Sequence, residues 1–517
     1  MVVDVLSRDS ELNAVSVVLG SIYLTLQNII STIIGIFGYT FMARMITQEQ
    51  MGAIAGLTFI ISLVQLLSDF GLNASIAKFV SELKGRREDS SKYIFSALSF
   101  RIILSLPLAL MLFLFSNDIS KLLFKSSIFS SAIKLIAIDS IFISFSPLLN
   151  SILWGSSMLK NMAIYGITST SMRWLAIVFS LVNGYGLNGV IIGWIIGDIV
   201  FFFMLSLTTS RLIKFNRSML HNSIKKLSEL LKFSWPIYVA SITSFLYTWY
   251  DRALVLAYLS LTALGIYNVA YTAFSVLVTM ASSLGSALFP YYGIAYGKND
   301  QNSITLGIKR ASRYTMLILF PLIIGLIITS KPVITLFAGQ QYEEGWVVLA
   351  ILSSFGLVYG ISPAFSNLLL VYGKTKVILL LNLISIVISL AFLPLVWFLN
   401  LAGLAIVRGA ASLITFLLSL HFLSRIIKIE IDYKAGLEAI FSSIVMAIVV
   451  IVFQQVLYSK FLLPLYIVLG GITYALMIRL LKVINKEDIQ LIQQITGEKL
   501  ATYMAKILGF NEDIIKN

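Results

Sequence analysis

Eight charged side chains lie in stretches that are otherwise apolar: Asp69, Arg101, Asp139, Arg173, Asp198, Asp251, Arg252 and Arg408. Charge in such a setting is costly and marks either a pathway or a pair. A guanidinium stays ionised and grips phosphate oxygens in a bidentate fork, so the four arginines are candidates for holding an anionic group. A carboxylate at the same depth can take up a proton or a sodium ion, which makes Asp69, Asp198 and Asp251 candidate coupling sites. The plainer alternative is that the eight pair between neighbouring helices and hold them in register, and four of each sign suits that reading. Asp251 and Arg252 are adjacent, so on a helix they point apart and cannot pair face to face. At 1.5 Å per residue, Arg101 and Arg173 fall about 12–14 Å from the inner boundary of their spans and Asp198 about 16 Å from the outer one. Asp69 lies nearer the inner side. Asp251, Arg252 and Arg408 lie in the outer half, and Asp139 is expected at the outer boundary, in contact with water.

Other chemistries are poorly served. The chain has no cysteine, which removes disulfides, thiol nucleophiles and Cys-ligated metals, and its two histidines, His221 and His421, are too few for a histidine metal centre. Gly184-Tyr185-Gly186-Leu187-Asn188-Gly189 fits the GxGxxG string but joins two apolar segments rather than a strand and a helix. Asp69-Phe70-Gly71 stands without the other kinase elements. The sequons at Asn73 and Asn216 lie in a span and on the inner side. The pairs Gly193/Gly197 and Gly356/Gly360 read as close helix contacts. Pro147 and Pro363 are expected to bend their helices.

The elements that carry these residues must be membrane helices. Of 517 residues, 58% are hydrophobic and only 12% charged, and the mean hydropathy is +0.92. A soluble domain carries about twice that share of charge. On a ruler of about 20 residues per crossing, fourteen spans are expected, near 13–42, 51–77, 93–116, 135–157, 164–183, 187–209, 233–257, 264–289, 314–330, 345–372, 377–398, 400–424, 437–458 and 461–480. The N-terminus is acidic and its first span long, unlike a cleaved leader. With that end in the cytoplasm, inner loops and tails hold 28 of the 38 Lys and Arg residues and outer loops hold six. That imbalance places both termini inside and explains the net charge of +14 without nucleic acid. No loop is long enough to fold into a separate catalytic domain.

The chain also repeats itself. Met51-Gly52 corresponds to Leu264-Gly265, Ser68-Asp69-Phe70-Gly71 to Ser282-Ser283-Leu284-Gly285, and Ser146-Pro147 with Asn150 to Ser362-Pro363 with Asn367. Lys160 matches Lys374 and Gly189 matches Gly403, with a shift of 213 to 216 residues throughout. Six spans per repeat give two lobes of the same orientation, related by an axis along the membrane normal. The expected organisation is a tail (1–12), a first lobe (13–209), a basic cytoplasmic linker (210–232), a second lobe (233–424), two appended spans (425–480) and an amphipathic cytoplasmic tail (481–517). In that tail, Ile484, Leu491, Ile492, Ile495, Tyr503, Met504, Ile507 and Leu508 recur at helical spacing.

These features resemble the polysaccharide transporter branch of the MOP exporters, the superfamily of multidrug, oligosaccharidyl-lipid and polysaccharide carriers. The segments carrying the likeness are Ala43–Gly52, Asp69-Phe70-Gly71-Leu72-Asn73, and Phe233-Ser234-Trp235-Pro236 leading to Asp251 and Leu264-Gly265-Ile266-Tyr267. Met51 departs from the pattern, where an aromatic residue is expected. The resemblance implies an all-α, MATE-like polytopic protein of the cell membrane, acting as a monomer without a cofactor. It would carry a polyprenyl-(pyro)phosphate-linked glycan to the outer leaflet by alternating access, with coupling to a proton or sodium gradient possible. In that setting the arginines would meet the phosphate, and Gln27, Asn28, Asn150, Asn367 and Asn382 would line a polar lumen for the sugars. Three rivals remain: a cation-coupled multidrug exporter of the same superfamily, a membrane-embedded glycan-transfer or polymerisation enzyme, and a structural partner in an export assembly.

Overall fold

The computed structural model describes residues 2–213, 219–485 and Asp488, so the expected amphipathic tail lies for the most part outside the described residues. The chain divides after Gly265 into two compact units, and no strand occurs among the described residues.

The first unit is built from α1 (Val2–Met45), α2 (Gln48–Asp69), α3 (Leu72–Arg86), α4 (Ser91–Leu114), α5 (Ser116–Phe124), α6 (Ser130–Gly155), α7 (Leu159–Val182), α8 (Gly186–Ser210) and α9 (Met219–Tyr258). α10 (Leu261–Gly297) starts in it and continues into the second. The second unit then holds α11 (Gln301–Ile328), α12 (Ser330–Phe337), α13 (Gly345–Ser354), α14 (Gly356–Val371), α15 (Thr375–Ala391), α16 (Pro394–Ser424), α17 (Tyr433–Val456) and α18 (Leu463–Leu480).

Among the described residues, eleven helices are long and apolar enough to cross a membrane, or twelve if α13 and α14 count as one bent span. The sequence reading also counts α9, whose apolar part carries Asp251 and Arg252, and α15, which has 17 residues. α17 shows how these helices are patterned. Leu437, Phe441, Ile444, Ile448 and Val452 are exposed, whereas Ala439, Ser442, Ser443, Met446 and Val450 are buried against α11 and α18. Large apolar groups outward and small residues inward is the pattern of a helix solvated by lipid tails. Ser442 and Ser443 return their hydroxyls to the carbonyls of Glu438 and Ala439, so the small face carries no unmet donor there.

Local chemistry sets the helix boundaries. Thr47 opens α2 with a capping box: its hydroxyl accepts from the Gln50 amide and the Gln50 side chain accepts from the Thr47 amide, both at 3.2 Å. The expected span 51–77 is not continuous. It breaks at Phe70 and Gly71, which both adopt left-handed backbone (φ 48° and 75°), leaving Asp69 as the last residue of α2. Gly71 suits that conformation, and a Cβ there would also press on the Ser234 carbonyl, 2.5 Å away. The break expected near residue 400 does occur inside α16, where Asn400 has φ 50° and ψ −128°. In the tenth expected span the bend, 45°, falls between α13 and α14 rather than at Pro363, which lies inside α14.

The first unit packs around Leu72, Ile76, Ile94, Leu148, Ile152 and Leu205 from α3, α4, α6 and α8. The second packs around Tyr292, Ile304, Phe365, Leu368 and Leu423 from α10, α11, α14 and α16. α9 rests on α2, α3 and α4. Gly52 and Gly265 lie together: a Cβ on Gly52 would overlap the Leu261 carbonyl, and one on Gly265 the Gln48 carbonyl.

Candidate functional site

Two charge clusters organise the first unit. In one, Arg101 on α4 is 1% exposed and spends its guanidinium on the α2–α3 break. Nη2 donates to Asp69 Oδ1 at 3.0 Å and to Asn73 Oδ1 at 2.8 Å, and Nη1 donates to Ser68 Oγ at 3.4 Å. The Asn73 amide in turn donates to Asp69 Oδ1. Arg101 thus fastens the end of one helix to the start of the next, the pairing alternative raised by its charge balance.

In the other cluster, Arg173 on α7 donates from Nη2 to Asp198 Oδ1 on α8 at 2.5 Å. The two helices come close because α8 carries glycines where it faces α7. A Cβ on Gly197 would stand 2.6 Å from Arg173 Cβ, and one on Gly193 would stand 2.8 Å from the Ile177 amide nitrogen. The Gly197 carbonyl accepts from Ser169 Oγ at 3.0 Å. The GxxxG spacing is therefore a packing device that also lets the ion pair form. The Arg173 side chain is 36% exposed, against 12% for Asp198, so here the guanidinium has a reachable edge that Arg101 lacks.

Asp139 corrects the sequence reading. Expected in water at a span boundary, it is fully buried. The span was read as starting near residue 135, but α6 begins at Ser130, which sets Asp139 about 14 Å inside the helix. Neither of its carboxyl oxygens meets a hydrogen-bond partner among the described residues.

Arg252 and Arg408 are seated on aromatic rings. The Arg252 guanidinium lies 4.7 Å from the Trp249 ring centre, and Trp249 is wedged against Phe59 and Phe245. Arg252 Nη1 also approaches the Thr248 carbonyl at 3.4 Å. Asp251 is fully buried, and its Oδ1 accepts from the Arg252 backbone amide at 2.9 Å. In the second unit, Arg408 lies 4.8 Å from the Tyr271 ring and donates to its hydroxyl at 3.1 Å. Each of these guanidinium groups thus packs on an aromatic face in a cation–π contact.

The amide side chains are scattered. Gln27 packs on α7 at Gly166, and Asn28 is exposed. Asn150 is half-buried, and its Oδ1 has no hydrogen-bond partner among the described residues. Asn367 and Asn382 are half-buried in the second unit. The sequence reading missed Asn73, Ser68, Trp249 and Tyr271, although Asn73 and Trp249 stand four and three residues from charges already singled out. It also missed a cluster near the middle of α11, where Arg313 donates to Asp432 at 2.9 Å and Asp488 at 2.8 Å, and Tyr314 donates to Asp488 at 2.7 Å.

Residues 41–346 match the family described as "Polysaccharide biosynthesis protein". The chain belongs to that family. It is 23% identical over 460 residues to the probable low-salt glycan biosynthesis flippase Agl15 of Haloferax volcanii, covering 89% of this chain and 93% of the relative. It is 22% identical over 329 residues to the succinoglycan biosynthesis transport protein ExoT of Rhizobium meliloti, covering 62% and 63%. Among solved structures, the inward closed lipid II flippase MurJ superposes with a TM-score of 0.73 at 18% identity, over 90% of this chain and 98% of that one. An inward-facing MATE multidrug transporter of the MOP superfamily gives 0.60 at 17% identity, over 78% and 98%. The fold of this polysaccharide biosynthesis family member is thus MurJ- and MATE-like, and the protein is a multi-pass membrane protein.

Proposed function

We propose that this protein is a flippase that carries a lipid-linked oligosaccharide or polysaccharide precursor from the cytoplasmic to the outer leaflet by alternating access. The observation that carries the reading is the match along nine-tenths of the chain to a relative named as a probable glycan biosynthesis flippase. The family assignment and the MurJ-like fold support it. It is a transporter rather than an enzyme.

Within this reading there are fourteen spans in two six-helix lobes of parallel orientation plus two appended helices, with both termini cytoplasmic in the cell membrane and a single chain as the working unit. Arg173, Arg252 and Arg408 meet the phosphate or pyrophosphate, and Arg101 acts through the α2–α3 break. Gln27, Asn28, Asn150 and Asn367 contact sugar hydroxyls, while the polyprenyl chain stays in lipid. Asp69, Asp198 and Asp251 are the groups assigned to coupling with a proton or sodium gradient. The exposed edge of Arg173 supports its phosphate role, because an incoming anion can reach the guanidinium there.

The test is made in cells lacking this chain. Lipid-linked glycan is expected to accumulate at the cytoplasmic leaflet and to be cleared when the chain is restored. Normal surface glycan in its absence overturns the proposal.

A further inference from the structure

Asp139 is buried to 0% exposure and neither of its oxygens has a hydrogen-bond partner among the described residues. An ionised carboxylate in that position would lose its hydration with nothing in exchange, which costs far more than taking up a proton. Two charged groups act on it, Asp198 from α8 and Arg173 from α7. The remaining helices packed on α6 are α2, α3, α4 and α5. Their charges are engaged elsewhere or lie at helix ends: Asp69 with Arg101, Glu82 with Lys78 and Arg86, Lys84 with the Ser156 carbonyl, Glu49 and Lys92 in the first turns of α2 and α4, and Asp118 and Lys121 exposed on α5. Both carboxyl groups thus lie within electrostatic reach of one guanidinium, and Asp198 holds it in this state.

We propose that Asp139 is a proton-binding site, and that its ionisation competes with Asp198 for the Arg173 guanidinium. With the proton on Asp139, Arg173 stays on Asp198. When the Asp139 O–H bond breaks and the proton leaves to water at the exposed edge of Arg173, the new carboxylate draws the guanidinium from α8 towards α6. The charge of the cluster falls by one, and the contact between α7 and α8 loosens at Gly197. The ligand is a proton rather than a metal cation, because the guanidinium already supplies the positive charge and no group of three or more His, Cys, Asp or Glu side chains able to hold a metal ion occurs among the described residues. This inference stands apart from the lipid-linked reading, since it is read without substrate.

The test is infrared spectroscopy of the full-length protein in lipid at neutral pH, following the carbonyl stretch of a protonated carboxyl group. Wild-type protein is expected to show a band that D139N lacks. The same band is expected to vanish in D198N, where Asp139 is intact but Arg173 is released to ionise it. A wild-type spectrum in D139N overturns the assignment, and an unchanged band in D198N overturns the competition. Loss of the wild-type band on exchanging potassium for sodium at constant pH would make the ligand a metal ion and contradict the proposal. Because D198N reads Asp139 in place, a folding failure of D139N does not shelter the idea.

Discussion

Arg101 Nη2 stands 3.0 Å from Asp69 Oδ1, a bond that joins α4 to the last residue of α2 at the point where the chain turns into α3. Arg101 is 1% exposed and Asp69 21%, so removing Asp69 is the change that strands a buried charge. Asp69→Leu is expected to lower stability by about 3–5 kcal/mol, read as a fall in melting temperature and in the yield of folded protein. Arg101→Met combined with Asp69→Leu is expected to recover much of that loss, because no unpaired charge is left behind.

Arg173→Ala and Arg252→Ala are expected to abolish glycan export while the protein still inserts in the membrane. Arg173→Lys is expected to restore little, since an ammonium lacks the planar fork that grips phosphate. Surface glycan and membrane content, measured on the same cells, separate loss of transport from loss of protein. Full export in both alanine variants contradicts the phosphate roles.

Helix identity was legible from the residues because membrane spans announce themselves by length and apolarity, and α7 and α8 fall within a few residues of where the sequence puts them. Which charges meet was not legible. Arg101 finds Asp69 from 32 residues away, and no local pattern encodes that distance. Asp139 was misplaced because its span was measured from the apolar run, whereas α6 starts five residues earlier at Ser130. The break at Phe70–Gly71 was hidden for the opposite reason, since hydropathy runs on across a left-handed turn that only backbone geometry reveals. Of the phosphate candidates, their presence in spans could be read off, but their aromatic seats on Trp249 and Tyr271 could not.

Gly197 faces Arg173 with no room for a side chain. Gly197→Leu is expected to force α7 and α8 apart at a cost of about 1–3 kcal/mol and to lengthen or break the Arg173–Asp198 bond. A lower melting temperature together with a fall in transport checks this. A variant as stable and active as wild type would mean that the helices separate freely here.

Asp300 caps α11 from outside the membrane, its carboxylate accepting from the Ser303 amide at 3.0 Å and the Ser303 hydroxyl at 2.6 Å. The Ser303 hydroxyl first, then the backbone amide, hold its pKa below the ordinary value. A depressed pKa means the cap contributes fully above the unfolded value, about 3.8, and is lost as pH falls through the lower folded value. The ratio of amide exchange over 301–304 in wild type to that in Asp300→Asn, which cancels the intrinsic pH dependence of exchange, is expected to rise as pH falls into the acid range.

The central claim is most directly tested by reconstituting the purified chain in sealed liposomes with a fluorescent polyprenyl-pyrophosphate oligosaccharide and quenching the outer leaflet chemically. Wild-type protein is expected to bring the inner-leaflet pool within reach of the quencher, and Arg173→Ala to leave it protected. Full protection with wild-type protein in sealed vesicles, or equal exposure with Arg173→Ala, would contradict the account.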